Sequence, residues 1–115
     1  MPFVRLETSA TLTDDVRRKL CASLSQAAAK GLGKPEQYVM TSVIPSVMSM
    51  SGTPAPAAFV DLRSIGGLSP AVNRALAKAI GGIVQETLNI PGERIFLNFT
   101  DVSGTNWGWQ GSTLG

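Results

Sequence analysis

Phe3-Val4-Arg5-Leu6 returns as Phe59-Val60-Asp61-Leu62, 56 residues further along the chain. The register then holds without a gap. Val16 falls on Val72, Leu20 on Leu76, Leu24 on Ile80, Ala28 on Val84 and Leu32 on Leu88. Pro35 falls on Pro91, and Val39 on Ile95. A few apolar positions can coincide by chance. Two prolines and a four-residue run in one register instead mark two copies of one supersecondary unit. The copies span about residues 3–44 and 57–101 of a single domain covering 1–115.

Each copy reads β–α–β. Alternation places Val4 and Leu6 on one face of a strand over Phe3–Thr8, with Phe3, Arg5 and Glu7 on the other. Thr13 suits an N-cap, and Asp14 and Asp15 suit the positive end of a helix. Val16, Leu20, Leu24 and Ala27 form an apolar stripe at helical spacing. Gly31 and Gly33 are expected to stop this helix, and Pro35 precedes a strand over Gln37–Ile44. The second copy begins with a strand over Ala57–Ser64, turned by Gly66-Gly67. Ser69 caps the next helix with Pro70 at its first position. Its stripe is Val72, Leu76, Ile80, Ile83 and Val84. Gly81-Gly82 within it suggests a close helix contact, and Pro91-Gly92 marks its end before a strand over Arg94–Asp101. Pro45–Pro56 reads as a loop, and the segment after Asp101 as a turn-rich tail.

Strand–helix–strand connections within one sheet are right-handed crossovers between parallel strands. The expected fold is therefore α/β (α+β), a four-stranded mixed sheet with two helices on one face. The other face would carry Phe3, Arg5, Phe59, Asp61, Phe96 and Asn98. That mixed surface suits a subunit interface, which argues for an oligomer.

Composition narrows the chemistry. The chain has 115 residues, 43% hydrophobic and 16% charged, which argues against disorder. A net charge of +2 does not point to a nucleic-acid or membrane partner. There is no histidine, so His triads, His ligands and His bases are excluded. The single Cys21 excludes an internal disulfide framework and a cysteine-rich zinc site, and no metal site is expected. No apolar run reaches the length of a membrane span, and the start of the chain lacks a signal peptide's order. A cytoplasmic location is the expectation.

Several residues could carry chemistry. Removal of Met1 would leave Pro2 with a free secondary amine, which apolar surroundings and a nearby cation would bring toward neutrality. With Met1 attached, the same nitrogen is an amide and cannot be a base. Pro2 also fits a plain start-of-strand proline. Lys34 reads either as a cation for a substrate carboxylate or enolate, or as a helix-end lysine facing the dipole. The Ser64-Ile65-Gly66-Gly67 turn could offer N–H groups to an oxyanion, or need glycine for its backbone angles alone. Asn98 lies mid-strand, where Asn is depleted, and reads as a buried amide bonding across an interface or to a ligand. Trp107 and Trp109 could wall a pocket or anchor the tail onto a neighbour. Arg17-Arg18-Lys19 reads as a solvated helix face, and Cys21, Met40, Met48 and Met50 as packing residues.

Together these pieces resemble the macrophage migration inhibitory factor family of the tautomerase superfamily. The residues that carry the likeness are the Met-Pro start, the doubled β–α–β, Gly33-Lys34-Pro35-x-x-Tyr38, Ser64-Ile65-Gly66, Asn73-Arg74, Asn98, and Asn106-x-Gly108-Trp109-x-x-Ser112-Thr113. The resemblance implies a homotrimer with three sheets around a central channel and an active site at each subunit interface. It implies Pro2 as general base, with Lys34 and the Ile65 backbone from the same subunit and Asn98 from its neighbour. Phe3, Tyr38, Ser64, Phe96, Trp107 and Trp109 would line the pocket. The implied activity is an isomerase reaction, cofactor-free keto–enol tautomerisation of phenylpyruvate-like or dopachrome-like compounds. A non-enzymatic, cytokine-like receptor-binding role is the alternative, and non-classical secretion is compatible with it.

Three departures from the family pattern stand out. Phe96 replaces the active-site tyrosine of animal members. Trp107 replaces a small aliphatic residue. Ala57-Ala58-Phe59-Val60 replaces a Cys-x-x-Cys, so no thiol–disulfide activity is expected.

Overall fold

The computed structural model describes residues 1–115. Strand β1 (Pro2–Thr8) leads into helix α1 (Asp14–Leu32) and strand β2 (Met40–Pro45). Strand β3 (Ala58–Ser64), helix α2 (Pro70–Leu88) and strand β4 (Ile95–Asp101) follow. A two-stranded hairpin, β5 (Gly108–Trp109) and β6 (Ser112–Thr113), ends the chain. The main sheet has the order β2-β1-β3-β4. Each β–α–β pair is parallel, and the two halves meet at an antiparallel β1–β3 junction. Two helices and a four-stranded mixed sheet are thus the architecture expected from the alternation.

The repeat is visible in the element boundaries. β1 and α1 recur as β3 and α2 at an offset of 56, and so does a 3₁₀ turn at Glu36–Tyr38, as Gly92–Arg94. At the junction Val4 faces Leu62 and Leu6 faces Val60, so the approximate two-fold axis passes between Arg5 and Asp61. A perfect repeat would place identical residues across that axis, and identical charges would repel. Here the images are Arg5 and Asp61, joined by an ion pair of 3.4 Å. The next images, Glu7 and Arg63, pair with Arg5 at 3.4 Å and with Asp61 at 3.2 Å respectively.

Local chemistry explains the helix ends. The Thr13 hydroxyl accepts from the Val16 amide at 3.2 Å, and the Ser69 hydroxyl accepts from the Val72 amide at 3.1 Å. Helix α1 does not stop at Gly31. It continues to Leu32, and Gly33 closes it with φ 65°. Helix α2 ends before Pro91-Gly92, at Asn89, whose φ of 55° supplies the same left-handed turn. Strand β2 starts at Met40 rather than Gln37, because Pro35 leads into the 3₁₀ turn first.

Val4, Leu6, Val60 and Leu62 from the sheet pack under Leu20, Leu24 and Ala28 of α1 and Leu76, Ile80 and Val84 of α2. The close helix approach lies at Gly31, not at Gly81-Gly82. A Cβ on Gly31 would collide with Leu76 Cδ2, whereas Cβ atoms on Gly81 and Gly82 would meet nothing within 4 Å.

The halves differ at their outer ends. Tyr38 and Arg94 occupy equivalent places. The Arg94 guanidinium donates to the carbonyls of Met50, Thr53, Ala55 and Pro56 at 2.9–3.3 Å and holds the loop between β2 and β3 over its corner. Tyr38 makes no such clamp, and its corner stays open.

Candidate functional site

The open corner lies at the start of β1. Pro2 is buried opposite Ser64 of β3, and Phe3 sits between Met40 of β2 and Arg63 of β3. A cleft of about 580 Å³ opens there. Its lining comes from Met1, Pro2 and Phe3, from the Gln37–Met40 segment, from Arg63, and from Trp107, Gly108 and Trp109. The structure therefore brings Pro2, Phe3, Tyr38, Trp107 and Trp109 together from distant parts of the chain.

The tail supplies one wall. It is a small hairpin rather than irregular coil. Gln110 and Gly111 form its turn with φ of 53° and 76°. The Leu114 amide donates to the carbonyls of Gly104 and Trp107, both at 3.1 Å, which folds the tail back on itself. Trp109 then meets Tyr38 edge to face, with centroids 6.0 Å apart and planes at 85°.

Lys34 is held just beyond the α1 C-cap. Its amide donates to the Ala29 carbonyl at 3.0 Å, and its ammonium donates to the Ile65 carbonyl at 2.9 Å. Its Cε lies 3.0 Å from where a Cβ on Gly67 would sit, and the φ of 80° at Gly67 favours glycine there. Partial burial, and then the positive charge of Lys34, hold the pKa of the chain's terminal amine below the ordinary α-amino value. In this chain that amine belongs to Met1, next to Pro2.

The Ser64–Gly67 turn is largely self-satisfied. The Ser64 hydroxyl donates to the Gly66 carbonyl at 2.8 Å, and the Gly66 amide donates to the Asp101 carboxylate at 2.9 Å. The Gly66 N–H is therefore already used and does not wait for an oxyanion.

Asn98 and Phe96 do not line the cleft of their own chain. Both lie on the outer sheet face of edge strand β4, and Phe96 is 61% exposed. Asn98 is exposed rather than buried, and its amide donates within the chain to Asp61 at 3.1 Å and Thr100 at 2.7 Å. Met40 is 67% exposed at the cleft instead of packing inside. Cys21 is half-buried.

Gln37, Val39, Met40 and Arg63 join the lining without a sequence signal that marks them as site residues. Nowhere does the fold assemble three or more carboxylate or thiol groups that could hold a metal. No helix is long and apolar enough to cross a membrane.

Comparison with known proteins accounts for the whole chain. The sequence profile described as "Macrophage migration inhibitory factor (MIF)" matches residues 1–115. Macrophage migration inhibitory factor of Meriones unguiculatus is 36% identical over 115 residues, covering 99% of each chain. The crystal structure of a macrophage migration inhibitory factor homologue from Prochlorococcus marinus superposes with a TM-score of 0.93 at 36% identity, covering 98% of this chain and 99% of that one. A macrophage migration inhibitory factor-like protein from Entamoeba histolytica gives 0.94 at 30% identity, covering 97% of both chains. With profile, sequence and fold in agreement from end to end, the chain belongs to the macrophage migration inhibitory factor family.

Proposed function

We propose that this protein is a cofactor-free keto–enol tautomerase for phenylpyruvate-like or dopachrome-like substrates, with Pro2 as general base once Met1 is removed. The supporting observation is the position of Pro2. It lies buried at an aromatic-walled cleft of about 580 Å³, next to the Met1 amine, whose protonated form burial and Lys34 both disfavour. An amine that stays neutral near the working pH can take a proton from an enol oxygen and deliver it to the neighbouring carbon, or run the reverse. In this reading Lys34, whose charge lowers the pKa of the Met1 amine, acts in the same way on the freed Pro2 amine and opposes the negative charge that develops on the enolate.

In this reading the protein is a homotrimer, and Asn98 and Phe96 complete the cleft of a neighbouring subunit. The outer sheet face supports that. It leaves Phe96 exposed and Phe3 and Phe59 half-buried, with no element of the same chain over them. Sedimentation equilibrium is expected to give three times the chain mass at micromolar concentration. A monomer there contradicts the shared site.

The pH–rate profile tests the base. The neutral amine is the active form, so kcat/KM rises with pH through the amine's pKa and then levels. A lowered pKa places that limb on the acid side of an ordinary α-amino group. Lys34→Ala removes one of the two causes of the lowering, so the limb is expected to move to higher pH. Desolvation remains, so it stays below the ordinary value. An unmoved limb contradicts the coupling of Lys34 to the base.

A further inference from the structure

Asp101 ends the edge strand β4, across from Ser64 at the end of β3. Aspartate is depleted in strands, and this one makes no ion pair. Its carboxylate instead accepts from the Gly66 amide at 2.9 Å. The carbonyl of that same peptide group, belonging to Ile65, accepts from the Lys34 ammonium at 2.9 Å. A single peptide plane is therefore gripped at both ends, by an anion on its N–H and a cation on its C=O. Each bond polarises the plane in the direction that strengthens the other, and bonds to charged partners are the stronger kind. The planes on either side are held separately. The Val102 amide donates to the Ser64 carbonyl at 2.8 Å, and the Ser64 hydroxyl donates to the Gly66 carbonyl at 2.8 Å. The orientation of the plane between them is left to Asp101. Gly66, at φ of 70°, has the freedom that would let this plane turn over, and a reversed plane would present its N–H to Lys34 in place of the carbonyl.

We infer that Asp101 is a positioning residue of this site: acting through the Ile65–Gly66 peptide, it holds the Lys34 ammonium beside the start of β1. A lysine is a point charge on a flexible stem, and without a fixed carbonyl to bind it extends into solvent. Its charge then acts less on the amine at the chain start. That amine is Met1's in the full chain, where burial and then Lys34 disfavour its protonated form, and Pro2's once Met1 is removed. Asp101 is not among the residues lining the cleft, so its influence runs through Lys34. A direct effect of its charge would have the opposite sign. Removing a carboxylate makes a nearby amine harder to protonate, whereas releasing Lys34 makes it easier. The inference deepens the tautomerase reading by adding a residue that tunes the base, and only its kinetic arm rests on that reading.

The test is the pKa of the Pro2 amine, read from its nitrogen chemical shift in full-length, proline-labelled protein shown by intact mass to lack Met1. Asp101→Ala is expected to raise it towards the value in Lys34→Ala. The fold should hold, because Asp101 is exposed and the β3–β4 pairing remains. In the Lys34→Ala background the same change should raise it no further. Asp101→Asn keeps an acceptor for the Gly66 amide without the charge, so its pKa should stay at or below that of the unaltered protein. Arg63 and Tyr38, the other charged or titratable side chains of the cleft, are the same in every variant. With phenylenolpyruvate, Asp101→Ala should move the acid limb to higher pH and lower kcat/KM on that limb by about two- to tenfold. An unchanged or lowered pKa in Asp101→Ala overturns the inference. So does an equal rise with Lys34 absent, which would mean that the turn merely collapses, or a rise in Asp101→Asn as large as in Asp101→Ala. If the pKa moves as expected in a protein without turnover, the tautomerase reading fails and the role of Asp101 stands. If turnover is present and the pKa ignores Asp101, that role fails and the tautomerase reading stands.

Discussion

Replacing Pro2 with alanine is expected to lower ketonisation of phenylenolpyruvate by at least about a hundredfold, the lower end of what a positioned general base contributes. The lower end is the right one for alanine. After Met1 removal, the Pro2→Ala chain would still present a primary amine at the same strand start, so the cleft would keep a weaker and less rigid base. Proline differs in having a secondary amine whose ring fixes the direction of the nitrogen lone pair. The fold should survive, because Pro2 donates no hydrogen bond and lies at the first residue of β1. Binding of 3-phenylpropionate should therefore persist in Pro2→Ala. Losing rate while keeping binding separates a missing base from a collapsed site. A Pro2→Ala protein with undiminished kcat/KM would remove Pro2 from the mechanism.

The second large effect concerns stability and separates two kinds of glycine. Gly31→Val is expected to destabilise the protein by about 3 kcal/mol, at the upper end for overpacking. A Cβ there would collide with Leu76 Cδ2 and lie 2.9 Å from its Cγ, and Leu76 is itself fully packed against the sheet. Gly81→Ala should instead stabilise by about 1 kcal/mol, because it improves helix propensity where the new methyl group meets nothing. Urea titration with a constant slope would report both. A stabilised Gly31→Val would mean that α1 and α2 do not approach closely at this point.

Much of the fold was legible because the repeat and the alternation agree. Val4, Leu6, Val60 and Leu62 all fall inward, and Phe59, Asp61, Phe96 and Asn98 all fall outward, as period two requires. Thr13 and Ser69 cap where their spacing to Val16 and Val72 places them. The glycines misled, since a glycine's role depends on what approaches it. Gly31 reads as a stop, yet it sits inside α1 because Leu76 of the other helix needs the space. Gly81-Gly82 reads as a contact and faces open space. The 3₁₀ turn at Glu36–Tyr38 was hidden because three residues carry too little periodicity to register.

The site was less legible than the fold, because its walls are brought together by tertiary structure. Tyr38 and Trp109 touch across more than half the chain, through a hairpin whose Gln110-Gly111 turn is a weak version of the usual Asn-Gly signal. Asn98 stands out in sequence as a mid-strand amide, but its partner Asp61 follows only from the β3–β4 register. Arg63 does not stand out, because an outward arginine on a strand reads as an ordinary surface charge. Its place in the lining follows only from a cleft that the tail closes by folding back.

The central claim is that a freed Pro2 nitrogen performs the proton transfer. The most direct measurement compares phenylenolpyruvate ketonisation by two preparations of the same chain, one lacking Met1 and one retaining it, each verified by intact mass. In the first, Pro2 carries a free amine, and the rate should stand far above that in buffer. In the second, the same nitrogen is an amide with no basic lone pair, and the rate should fall to that of buffer. Equal rates in the two preparations, or a buffer rate in both, would contradict the account.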